Sequence, residues 1–163
     1  MAMFSRYRTA TGAGVLAAFL LVLIFGSPIY RDWAAENTNP NTAGGWFLRL
    51  LGWPAWSFNS SESVSSVIAD DLKAILVVLF TWLFLRMSTG QQLARARGTI
   101  SQLFAGWSAY VFAAAFAALI TTFIRSNPSL LTAFSAAGAG AIYGLFTGWV
   151  VGIATLGNYR GSS

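Results

Sequence analysis

Apolar residues gather into four runs along the chain, each bounded by a short polar stretch. The first, TGAGVLAAFLLVLIFGSPIY, covers about 11–30, and Pro28 is expected to end it because proline cannot continue a helix interior. The second is VIADDLKAILVVLFTWLFLR at 67–86, and the third is ISQLFAGWSAYVFAAAFAALITTFI at 100–124. The fourth covers about 130–156. A helix of ~20 apolar residues crosses the ~30 Å hydrocarbon core of a bilayer, and within lipid such a run must satisfy its own backbone, which predicts α-helix for all four. The pattern therefore predicts an all-α integral membrane protein. A single membrane domain over 1–163 forms a four-transmembrane-helix bundle, with an outer loop at 31–66 between helices 1 and 2 and an inner loop at 87–99.

The polar stretches carry their own signals. In RSNPSLL (125–131), Asn127 is placed to cap the fourth helix, with Pro128 at its first position. MSTGQQLARARG (87–98) reads as a short amphipathic turn, and SSESVSSVI (60–68) offers several caps that start the second helix early. Glu62 there would lie near the positive end of that helix. The outer loop divides in two. DWAAENTNPNTAGG is expected to be turn-rich and solvated, whereas GWFLRLLGWPAWSF crowds Trp46, Trp53 and Trp56 among other large apolar residues. Residues 45–52 are expected to form a short re-entrant or in-plane helix broken at Gly52–Pro54. Tryptophan favours the headgroup layer, with its ring in apolar surroundings and its N–H wet. The three tryptophans are thus read first as interfacial anchors, next as a docking patch and last as a lid over a ligand. Asn59-Ser60-Ser61 matches a glycosylation sequon, a pattern too common by chance to carry weight.

Two features stand out inside the runs. Gly140, Gly144, Gly148 and Gly152 recur every four residues on the fourth helix, a slowly turning stripe on which another backbone can come close. The third helix offers small residues in return, Gly106, Ala109, Ala113 and Ala117, and a tight hairpin makes the two helices neighbours. A partner protein or a second copy of the chain is the next candidate for that face, and a permeation pathway lined by bare backbone the last. Asp70, Asp71 and Lys73 lie near the outer end of the second helix. There Asp70 and Lys73 share a face, and either acid could instead meet Arg125.

Composition narrows the chemistry. The chain is 56% hydrophobic and 9% charged, far below the ~25% charged residues of soluble domains, and its mean hydropathy is +0.61. Its 10 basic residues, nine of them Arg, exceed 5 acids, a usage in keeping with a GC-rich bacterial genome. The basic residues form no stripe dense enough for nucleic acid. They sort instead by side, with Arg6, Arg8, Arg86, Arg95, Arg97 and Arg160 on one side of the four runs. Arg31, Arg49, Lys73 and Arg125 lie on or toward the other. The positive-inside rule then places both termini in the cytoplasm of a bacterial inner membrane, with an uncleaved first span.

There is no Cys and no His, so disulfides, thiolate chemistry and the usual metal ligands and neutral-pH bases are missing. The hydroxyls of Ser108, Tyr110, Thr121 and Tyr143 have no evident base in the sequence. No catalytic, metal or cofactor site is expected, and an enzyme is not. What remains is a non-catalytic accessory or stabilising subunit of a larger membrane complex, packed against other integral membrane subunits or a second copy. A small homo-oligomeric transporter or channel is the alternative.

Overall fold

A computed structural model describes residues 10–58, 61, 63–92, 99–125 and 129–159. Over these residues all regular secondary structure is helical. The helices are α1 (Ala10–Phe25), α2 (Pro28–Asn37), α3 (Ala43–Leu51), α4 (Val64–Gln92), α5 (Thr99–Thr122), α6 (Leu130–Thr147) and α7 (Trp149–Tyr159). By length and apolarity α5 and α6 could each cross a membrane, and α1 with α2 makes a third if the bent pair counts as one span. Helix α4 has 29 residues, but Lys73 and Arg86 leave 12 uncharged residues between them. That is roughly 18 Å, short of the hydrocarbon thickness.

The first apolar run ends earlier than the sequence indicates, and for a different reason. Helix α1 stops at Phe25, and the axis turns by 60° into α2. The Gly26 amide closes the last turn on the Val22 carbonyl at 3.0 Å. A side chain at Gly26 would collide with the Pro54 carbonyl. Ser27 then caps a new helix, its Oγ accepting from the Tyr30 amide at 3.3 Å, with Pro28 at the first helical position. Pro28 therefore starts a helix as well as following one, and residues 31–37, expected to be turns, belong to α2.

Helix α3 begins two residues before the expected 45 and is capped by Thr42, with Gly52 at its C-terminal end. It folds back on α2 as a helical hairpin. The Tyr30 hydroxyl donates to the Leu48 carbonyl at 2.8 Å. Arg49 closes the hairpin by donating to Thr38 Oγ1 at 3.0 Å and to the Ala35 and Thr38 carbonyls, both at 2.8 Å. The latter are backbone acceptors that the end of α2 leaves without helical partners.

Helix α5 packs against α4, α6 and α7, while α1 packs against α4 and α7 and α3 touches α6. The buried centre is built largely of small side chains, Ala109, Ala113, Ala114, Ala117 and Ala118 on α5 together with Ala18 on α1 and Ala74 on α4. Large apolar residues such as Phe19, Ile75, Leu79, Phe134 and Ile153 face outward. In water that partition would waste the hydrophobic driving force. In lipid it is the favoured arrangement, because helix association there rests on close van der Waals packing.

The fourth run is interrupted at Gly148. The amide of Gly148 still bonds the Gly144 carbonyl at 2.7 Å, and that of Gly152 the Gly148 carbonyl at 3.0 Å. At the break, the Trp107 indole of α5 donates to the Leu145 carbonyl at 2.9 Å, and the Trp149 indole to that of Phe146 at 2.8 Å. Side-chain donors inserted at the end of a helical ladder are a recognised cause of such breaks. The α6 cap is Ser129, whose Oγ accepts from the Thr132 amide at 3.1 Å; Asn127 and Pro128 lie outside the described residues. Helix α4 starts before the expected 67, at Val64, and continues past Arg86 to Gln92. It thus takes in the first part of the expected inner loop. Arg6, Arg8, Asn59, Ser60, Glu62, Arg95, Arg97 and Arg160 also lie outside the described residues.

Candidate functional site

Asp70 and Asp71 are neighbours on α4 and so point about 100° apart. Asp70 Oδ1 accepts from Lys73 Nζ at 3.2 Å and from Arg125 Nη2 at 2.6 Å. Both pairings that the sequence offers thus fall on one carboxylate, which ties the start of α4 to the end of α5. Asp71 faces elsewhere, and its Oδ1 accepts the Ser57 amide at 2.9 Å.

The Lys73 side chain is only 13% exposed, and its ammonium lies 4.8 Å from the centroid of the Trp53 ring. A cation over an indole face is held by the ring quadrupole, more strongly where water is excluded. Trp53 in turn stacks on Tyr143, with centroids 5.0 Å apart and planes 23° apart. The Tyr143 hydroxyl meets that of Tyr110 at 2.7 Å, and both rings are fully buried. Arg125, Asp70, Lys73, Trp53, Tyr143 and Tyr110 therefore form one file from the helix ends into the middle of α5 and α6. Among the described residues, every buried side-chain nitrogen and oxygen has a hydrogen-bond partner.

Trp53 reaches this position because residues 52–57 fold inward. Its amide bonds the Leu50 carbonyl at 2.9 Å, and Pro54 is fully buried. The Trp56 amide donates to the Gly26 carbonyl and its indole N–H to the Val22 carbonyl, both at 3.1 Å. The Trp56 N–H is thus engaged by α1 rather than by water. Trp46 stays largely exposed and meets the edge of Phe146, with centroids 5.1 Å apart. Phe146 lies roughly 24 Å along α6 from its first residue. The α2–α3 hairpin therefore runs down the side of the helices instead of sitting on their ends.

All four glycines of the stripe face α5. A Cβ on Gly140 would lie 2.5 Å from the Ala114 carbonyl oxygen, and one on Gly144 would lie 2.6 Å from the Val111 Cα. On Gly148 it would lie 2.9 Å from the Trp107 ring, and on Gly152 it would lie 2.6 Å from the Leu103 carbonyl oxygen. Real Cβ atoms do not sit that close to backbone, so side-chain absence at these positions is what lets the helices meet. Gly106 answers from α5, its Cβ position lying 2.9 Å from the Gly152 Cα.

Comparison of the chain with protein-family models, with curated proteins and with solved structures gives no match. Among the described residues no group of three or more acidic side chains is placed to hold a metal ion. Three structural contacts escape sequence reading: the Tyr110–Tyr143 hydroxyl pair, the Trp107 indole at the Leu145 carbonyl and the Arg49 closure of the hairpin. Tyr110 and Tyr143 stand on the two faces already matched by their small residues, a signal that could have paired them. Nothing local marks Trp107 or Arg49.

Proposed function

We propose that the chain is a non-catalytic accessory subunit of a larger bacterial membrane assembly, a transporter or a respiratory complex. In this reading α1, α4, α5 and the α6–α7 pair form a four-transmembrane-helix bundle in the inner membrane, with both termini cytoplasmic and residues 31–66 joining the outer ends of α1 and α4, the hairpin descending along α6 from that side. Lys73 and Arg86 bring α4 to spanning length by extending toward the headgroups or turning onto protein partners. Arg86 has such a partner in the Trp82 ring, at 5.2 Å.

The observation that carries the reading is that the groups with chemistry to offer hold this chain together. Asp70 engages two cations, Asp71 a loop amide, Tyr110 its partner tyrosine and Lys73 the Trp53 ring. With the glycine stripe occupied by α5, contacts to another subunit fall on the hairpin and on the outward faces of α4, α5 and α6. Extraction from native membranes into lipid nanodiscs, followed by native gels and mass spectrometry, tests the proposal. Stoichiometric migration with a larger complex is the expected result, and migration alone overturns it. The second reading, a small homo-oligomeric transporter or channel, draws on the file from Arg125 to Tyr110. It would gain support from flux in vesicles that disappears with Asp70→Asn.

A further inference from the structure

Between α1 and α4 runs an open groove of about 820 Å³, walled by Val15, Phe19 and Leu23 on one side and by Ile75, Val78 and Leu79 on the other. Trp56 and Phe58 line it toward one end and Trp82 toward the other. Below it the two helices come together, for a Cβ on Gly14 would lie 2.6 Å from the Leu85 side chain. The groove has a single charged lining residue, Asp71, beside Phe58 at its open end. Among the described residues that carboxylate receives the Ser57 amide and no cation, since Lys73 and Arg125 both turn to Asp70.

We propose that this groove holds one ethanolamine phospholipid, with an acyl chain along the apolar walls and the headgroup ammonium at Asp71. The inference rests on the reading that α1 and α4 cross a membrane, and on two properties of the groove. The first is length. From Asp71 to Trp82 is roughly 16 Å along α4, half of the ~30 Å hydrocarbon core. That is the depth of one leaflet and suits one lipid tail. A partner's transmembrane helix would need both leaflets, and below Trp82 the groove is closed. The second is charge. An apolar trough with one anionic group at its headgroup end complements a zwitterionic lipid whose terminal ammonium reaches the carboxylate, a hydrogen bond of the stronger, charge-assisted kind. Both headgroups bring a phosphate, but only in ethanolamine does an ammonium offset it; the glycerol headgroup is net anionic and is repelled by Asp71.

The test is native mass spectrometry of the purified full chain, delipidated and then supplied with ethanolamine or glycerol phospholipids of identical acyl composition. One ethanolamine lipid per chain should be retained, roughly tenfold over the glycerol lipid. Asp71→Asn, which keeps an acceptor for Ser57, should abolish the headgroup preference, and Leu79→Trp, which fills the trough, should remove the bound lipid. Equal retention of both lipids by the unaltered chain, or a preference that survives Asp71→Asn, overturns the proposal. So does a partner helix cross-linked to Leu79→Cys in native membranes, a clean experiment because the chain has no other cysteine. Retention is read on the purified chain, so the result is independent of whether the protein migrates alone or with a complex.

Discussion

Gly138 and Gly144 lie on one helix, and the same added methyl group has opposite consequences at the two. At Gly144 it would press on the Val111 backbone of α5, whereas at Gly138 nothing lies within 4 Å. Gly144→Ala should therefore cost about 1–3 kcal/mol through overpacking against atoms that cannot turn aside. Gly138→Ala should leave thermal unfolding in detergent unchanged or raise it slightly, since alanine is the better helix former. Equal behaviour of the two variants would remove close packing as the role of the stripe. Asp70 permits a second comparison. Asp70→Asn leaves Lys73 and Arg125 without their shared anion, at a cost of about 2 kcal/mol once the partial exposure of the site is allowed for. Adding Lys73→Met removes the less exposed of the two stranded charges and should recover much of that loss. A double variant no more stable than Asp70→Asn alone would show the ion pair to be incidental.

Whole elements depend on a few contacts that join distant parts of the chain. Arg49 holds the end of α2 through three hydrogen bonds, so Arg49→Met should loosen the hairpin without unfolding the helices behind it. Limited proteolysis at residues 38–42 should then proceed several-fold faster while thermal unfolding shifts little. The long uncharged runs of α5 and α6 were legible in the sequence because a helix in lipid is written by composition over ~20 residues. The contact face between them was legible because four-residue spacing survives in the pattern of small residues. The hairpin was less so. The Ser27–Pro28 pair reads equally as a stop or as a cap followed by a first helical position, and the 60° turn decides between them. The inward course of Trp53 was hidden for another reason. Tryptophan is suited alike to a wet interface and to stacking in a core, and its partner Tyr143 lies about 90 residues away.

For the molecule as a whole, the proposed orientation has a direct readout. Ser61→Cys, exposed just ahead of the first residue of α4, should react in intact cells with a maleimide that cannot cross membranes. Labelling only after the cells are opened would place the start of α4 on the cytoplasmic side and reverse the topology. The wedge formed by Trp53 also imposes an order on assembly. A ribosome finishes Trp53 about 90 residues before Tyr143, the ring it rests on, and at 5–20 residues per second that interval is roughly 5–20 s. The first helical pair must wait through it with its binding slot half built. The chain thus carries its own timer: the seat for Trp53 is complete only when α6 has arrived, and stacking of Trp53 on Tyr143 marks that step.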